Sequence, residues 1–132
     1  MIGMPSLAAM DRASGLRIWL CTQPTDMRKS YDGLAALVRN QLGLEPLSGQ
    51  AFVFINRRRT QLKCLYFEPG GYCLWCKRLE EGQFSSFPRA ADGKVVLSAI
   101  DFAALIEGLE VVVKKRHKRW NKPFVSSASL VQ

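Results

Sequence analysis

Leu62-Lys63-Cys64-Leu65-Tyr66-Phe67-Glu68-Pro69-Gly70-Gly71-Tyr72-Cys73-Leu74-Trp75-Cys76-Lys77 is the stretch on which the architecture of this chain turns. Two apolar, β-prone runs flank Glu68-Pro69-Gly70-Gly71, where the proline and two glycines supply the dihedrals of a tight loop. With that loop, Phe67 pairs with Tyr72 and Leu65 with Leu74 on one face, and Cys64 faces Trp75 on the other. Both faces are apolar, which predicts a central hairpin covered on both sides.

Working outward, Ala51-Phe52-Val53-Phe54-Ile55 is a short β-prone run joined to the hairpin by the basic connection Asn56-Arg57-Arg58-Arg59-Thr60. Upstream, Leu16 to Cys21 reads as a strand, with Leu16, Ile18 and Leu20 pointing one way and Arg17, Trp19 and Cys21 the other. Pro24 ends it. Met27, Tyr31, Leu34, Leu37, Val38 and Leu42 then fall at helical spacing. They predict a helix starting at Asp26 or Ser30 and ending at Leu42, capped by Thr25 or Ser30 and stopped by Gly43. Gly33 weakens its interior and predicts an irregular first turn.

Downstream, Glu80-Glu81-Gly82 marks a turn, Phe84 to Phe87 a further edge strand, and Lys94 to Leu97 a short extended piece. Ser98 with Asp101 three residues on resembles a capping box. It opens a helix of about Ser98 to Leu109, with Phe102, Leu105, Ile106 and Leu109 on one face. The elements add up to one α+β domain: a mainly antiparallel sheet of four to five strands with helices at about 30–42 and 98–109. Residues 1–15 are expected to be a loose leader, 16–110 the domain, and 111–132 a basic tail.

At 132 residues the chain supports one real core. Its 48% hydrophobic and 10% aromatic content argues against general disorder. No apolar run approaches the roughly 20 residues of a membrane helix. Asp11 and Arg12 close behind Leu7 to Met10 argue against a signal peptide. The expectation is a soluble, cytoplasmic protein.

Nineteen basic and eleven acidic residues give a net charge of +8. Lys114, Lys115, Arg116, Lys118, Arg119 and Lys122 supply six of these charges with no acid between them, so the rest of the chain is close to neutral. Localised positive charge is the footprint of nucleic-acid binding, although a solvated tail has the same composition. Arg28 and Lys29 stand where the first helix begins, a position that costs cations roughly 0.3–1 kcal/mol each. A chain that accepts this cost keeps them for a partner. Arg57, Arg58 and Arg59 form a second group, and the tail with Trp120 among its cations a third. Arginine donates two bonds at once to phosphate, and tryptophan stacks on bases. The competing readings are a solvated loop and a tryptophan packed on the body of the domain.

Nothing points to catalysis. Cys73-x-x-Cys76 invites a metal or redox site, but positions three apart on a strand face opposite ways, and no helix follows to activate a thiol. Core-packed thiols are the expectation for Cys21, Cys64, Cys73 and Cys76. His117 sits among cations without an orienting acid, Asp26, Asp32 and Glu68 form no convincing set, and Gly70-Gly71 opens no phosphate-cradling helix. We expect a non-enzyme without metal or cofactor.

An ordered set of residues carries a family likeness. It comprises Thr25-Asp26-Met27-Arg28-Lys29-Ser30-Tyr31-Asp32-Gly33-Leu34, then Ser48-Gly49 through Phe52-Val53-Phe54, Leu65-Tyr66, Tyr72-Cys73-Leu74-Trp75 and Lys77-Arg78-Leu79-Glu80-x-Gly82-x-Phe84. Over about Leu16 to Leu109 the chain resembles the TnpB accessory protein of bacterial insertion sequences of family sixty-six. The resemblance implies a helper of DNA transposition, encoded beside a separate transposase that carries the cut-and-join chemistry. It implies DNA and that transposase as partners. Phe67-Glu68-Pro69 stands where the family pattern has Trp-Asp-Gly, and Phe87-Pro88 where it has Trp-Pro. The tail from Val111 looks like an extension beyond the common core. Arg28, Lys29, Arg57, Arg58, Arg59, Lys77 and Arg78 are then the candidate DNA-backbone contacts, with the tail adding sequence-independent attraction. The rival readings are a protein-interaction module that bridges transposase subunits, and a small metal or thiol module.

Overall fold

The computed structural model describes residues 17–108. The expected leader (1–15), the whole expected tail (111–132), Leu16 and Leu109 lie outside the described residues.

The described chain forms five strands and two helices. They are β1 (Ile18–Cys21), α1 (Tyr31–Leu37, prolonged by a π-helical turn over Val38–Leu42), β2 (Ala51–Ile55), β3 (Gln61–Glu68), β4 (Gly71–Arg78), β5 (Lys94–Leu97) and α2 (Ala99–Ile106). The sheet order is β4-β3-β2-β1-β5. Three of its pairings are antiparallel, and β1 with β2 is parallel, joined through α1. A parallel pair needs such a crossover because a short turn cannot reverse the chain twice.

The hairpin register is as the sequence predicts: Phe67 opposes Tyr72, Leu65 opposes Leu74 and Cys64 opposes Trp75. Its position in the sheet is not. Only β3 is interior, while β4 is an edge, and Tyr72 to Trp75 are half-buried. The central place belongs to β2, whose five residues are all buried. Strand alternation divides them. Ala51, Val53 and Ile55 join Ile18, Leu20, Leu62, Cys64, Phe84, Leu97, Phe102 and Leu105 on the α2 side. Phe52 and Phe54 join Cys21, Leu65 and the α1 residues Leu34, Ala35, Val38 and Leu42 on the other. The sheet is thus a middle layer, with β1 using both faces as its alternation predicts.

Local expectations meet corrections at the helix ends. Ser30 precedes α1 but makes no side-chain cap bond. Thr25 is buried, and its amide donates to Ile55 O (2.9 Å), tying the exit of β1 to the end of β2. The irregularity expected from Gly33 falls at the opposite end of the helix, where the chain widens into the π turn. Gly43 closes that turn in the left-handed region (φ +68°), and its amide and that of Leu44 both donate to Val38 O. Ser98 does cap α2, accepting from the Asp101 amide at 3.0 Å. The segment expected as an edge strand, Phe84 to Phe87, is not a strand. Phe84 instead drops fully into the α2-side core, and its amide is held by Arg59 O (2.7 Å) rather than by a ladder.

Candidate nucleic-acid interface

Strand direction decides where the cations go. Because β1 and β2 are parallel, Cys21 and Ile55 end at the same edge of the sheet. The antiparallel pairs Ile55 with Leu62, Gln61 with Arg78 and Cys21 with Lys94 bring the start of β3, the end of β4 and the start of β5 to that edge too. The connections at this end carry Arg28 and Lys29 after β1, Arg57, Arg58 and Arg59 between β2 and β3, Lys77 and Arg78 closing β4, and Arg89 and Lys94 before and in β5. The same end also carries Asp26, Glu80, Glu81, Asp92 and Glu107, while the opposite end carries Arg17, Glu68 and Asp101. The seven candidates within the described residues therefore share one end of the sheet. Lys114, Lys115, Arg116, Lys118, Arg119 and Trp120 lie outside the described residues.

The seven are not equivalent. Arg28 and Lys29 sit outside α1, before Ser30, so the helix-start cost does not apply as expected. The Asp26 carboxylate takes the Arg28 amide (2.9 Å) and a two-pronged guanidinium contact (Nε to Oδ1 at 3.0 Å, an amino group to Oδ2 at 2.7 Å). These bonds hold the Asp26 carboxyl well below the usual carboxylate range and raise the Arg28 guanidinium. The pair is exposed, so solvent screens it and its contribution to stability is small. Lys29 accepts, through its backbone carbonyl, a 2.8 Å bond from Lys63 Nζ. That places a further cation, which sequence reading had assigned only to a strand, beside the group.

Within the arginine triplet, Arg57 and Arg58 are exposed, whereas Arg59 is half-buried and structural. It takes a left-handed backbone (φ +61°), and its guanidinium donates to Phe84 O (3.0 Å) and Gln83 Oε1 (3.3 Å). Gln83 returns a 2.8 Å bond to Arg58 O. Lys77 is likewise committed, with Nζ on Ile106 O at the end of α2 (2.6 Å), where a cation suits the unpaired carbonyls. Arg78 pairs with exposed Glu80 (3.2 Å). Lys94 lies 3.5 Å from Asp92 and 5.9 Å from the centre of the Trp19 ring.

A cavity of about 170 Å³ opens at this end. Leu20, Cys21 and Ile55 supply its apolar lining from the strand ends; Thr22, Asn56, Arg57 and Arg59 contribute from the connections. Ser85, Ser86, Phe87 and Arg89 contribute from the irregular segment. None of the described residues lining it is acidic. Sequence reading missed Arg89 because a lone arginine in a loop has no pattern; only the topology brings it beside Arg57.

The thiols are dispersed. Cys73 and Cys76 fall on opposite faces of β4, Cys21 and Cys64 are buried on opposite faces of the sheet, and Cys76 is exposed. Burial pushes the Cys64 thiol up, and burial followed by neighbouring Glu68 raises Cys73. Among the described residues no three His, Cys, Asp or Glu side chains converge as a metal site, and no helix is long and apolar enough to cross a membrane.

The family model described as IS66 Orf2 like protein matches residues 16–116, so the match runs past the expected domain end and takes in Lys114, Lys115 and Arg116. Two curated relatives from Sinorhizobium fredii are similar along most of their length. Uncharacterized protein y4jC is 41% identical over 77% of this chain and 86% of its own. Uncharacterized protein y4hO is 37% identical over 72% of this chain and 82% of its own. No solved structure matches.

Proposed function

The chain belongs to the IS66 Orf2-like family, whose role is that of an accessory in transposition, and from that premise we propose that it acts by binding DNA through the basic end of its sheet, without chemistry of its own. The observation that supports this reading is the convergence on one end of cations from three connections and the adjoining strand ends, where they outnumber the carboxylates Asp26, Glu80, Glu81, Asp92 and Glu107. A net excess of positive charge at one end gives a polyanion a preferred orientation of approach. Arg57, Arg58 and Arg89 are the cations there with no described side-chain partner, and they are the groups best able to exchange counterions with phosphate. Arg59, Lys63 and Lys77 spend side-chain donors on backbone carbonyls and act mainly by fixing the frame.

The tail fits the same reading through covalent geometry. Gly108 lines a second pocket with Arg59 and Gln83, and so stands at the basic end. Lys114 follows six residues later, within about 20 Å of Gly108 even for an extended chain. The transposase of the same element is the partner this family membership suggests. Protein bridging without DNA contact is the competing reading, and the paired cations Arg28 and Arg78 suit it better than the free ones do.

The deciding experiment is a mobility-shift and anisotropy titration of the full chain with element-end DNA, with and without the transposase, across a salt series. Direct binding predicts an affinity that falls by about 0.9 log unit per log unit of salt for each phosphate contact. An affinity indifferent to salt, or binding only when transposase is present, would refute direct DNA contact.

A further inference from the structure

The cavity at the carboxyl ends of β1 and β2 has a shape that contact with the outside of a duplex does not need. A cation that meets a duplex phosphate only has to project, as exposed Arg58 does. Arg57, Arg59 and Arg89 instead line a concavity with Thr22, Ser86 and Phe87 in its walls, Phe87 being half-buried and packed against the α2-side core. The geometry points to a site for one unstacked nucleotide of a single strand, with phosphate on Arg57 and Arg89 and the sugar or base against Phe87. This deepens the reading that the basic end meets nucleic acid, and rests on it.

Three observations carry the assignment. The first is size: 170 Å³ holds on the order of ten waters, more than a phosphate group displaces, so a ligand that fills the space brings more than an anion. The second is composition. Arginine forks beside a half-buried aromatic ring and hydroxyls provide both halves of a nucleotide's chemistry, charge for the phosphate and a π-face for the base. The third is readiness. Arg59 is locked by its bonds to Phe84 O and Gln83 Oε1, giving a fixed positive wall. Arg57 and Arg89 have no hydrogen-bond or ion-pair partner among the described residues, and no carboxylate lines the cavity to compete for them. The site also stands outside the carboxyl ends of two parallel strands, where diverging connections leave open crevices in many sheets.

The test is a fluorescence-anisotropy titration of the full chain with a labelled, 5′-phosphorylated single-stranded trinucleotide, with inorganic phosphate as competitor. We expect saturable binding, with inorganic phosphate at least tenfold weaker. Arg89→Ala and Phe87→Leu should each weaken binding about tenfold or more, Phe87→Leu keeping apolar volume in case Phe87→Ala fails to fold. Arg17→Ala, at the far end of the sheet beside Ala51, should change it by less than twofold. Equal affinity for inorganic phosphate, or no effect of Phe87→Leu in a variant folded by circular dichroism, would overturn the nucleotide site. Duplex binding without trinucleotide binding overturns this inference and leaves the duplex reading standing; loss of both overturns both.

Discussion

Replacing Arg59 separates two roles that a row of three arginines conceals. Arg59 holds a left-handed backbone (φ +61°), which costs a side-chain-bearing residue roughly 1–2 kcal/mol. Its guanidinium offsets this with a part-buried bond to Phe84 O and a longer, exposed one to Gln83 Oε1. A bond to a charged group is worth about 1.5–3 kcal/mol and the exposed one little. Arg59→Ala loses both bonds and keeps the strained backbone, so it should cost about 2 kcal/mol. Arg59→Gly loses the same bonds but relieves the strain; after the extra unfolded-state freedom of glycine is discounted, it should lie about 1 kcal/mol above the alanine variant. Urea denaturation and melting read this directly, since 1 kcal/mol shifts the melting temperature of a domain this size by about 4–8 °C. The expected order is wild type, then glycine, then alanine. An alanine variant as stable as wild type, or no better stability with glycine, would refute a structural Arg59 and return it to the free cations.

Other outcomes follow from the same packing. Tyr66 is buried, and burial, then Cys73 and Glu68, pushes its phenol up to about 12. The folded state therefore disfavours tyrosinate: stability should hold below pH 10, where the unfolded phenol begins to ionise, and fall as pH rises toward 12, with Tyr66→Phe flattening that slope. Asp26 has the opposite sign. Its carboxyl should titrate by NMR below the usual range and return upward in Arg28→Ala, and any stability from the pair should be present above about pH 4 and lost as pH falls. In thiol labelling of the native chain, Cys76 should react first, Cys73 slowly, and Cys21 and Cys64 only on unfolding; rapid labelling of all four would contradict the packing.

Local pattern carried much of this fold in plain sight. Alternation in Ile18 to Cys21, the β-prone run Ala51 to Ile55, the Pro69-Gly70 turn and the Ser98 cap each depend on a few neighbouring residues, and each survives in the structure. What local pattern could not carry is order across the sheet. Apolar residues on both faces of Tyr72 to Trp75 read as a central strand, yet half-burial at an edge satisfies them, because α1 and α2 reach over part of β4. Phe84 reads as a strand residue from its β-propensity, yet one deep anchor and the Arg59 bonds suffice to fix an irregular segment. The site shows the same division. Arg57 and Arg58 were legible as a basic connection; Lys63 and Arg89 join them only because β1 and β2 run parallel, a long-range fact that no short window contains. Arg28 differs from the other candidates for a local reason, since Asp26 two residues earlier pairs with its fork.

The central claim is that one end of the sheet, rather than the net charge, meets DNA. It is tested most directly by two variants that each remove one positive charge, Arg57→Ala at the basic end and Arg17→Ala at the other, compared in salt-titrated binding to the same duplex. The first should lower the slope of log affinity against log salt by about 0.9, and the second should leave the slope unchanged. Equal changes in both would mean that DNA responds to total charge alone, and the basic end would lose its standing as the interface.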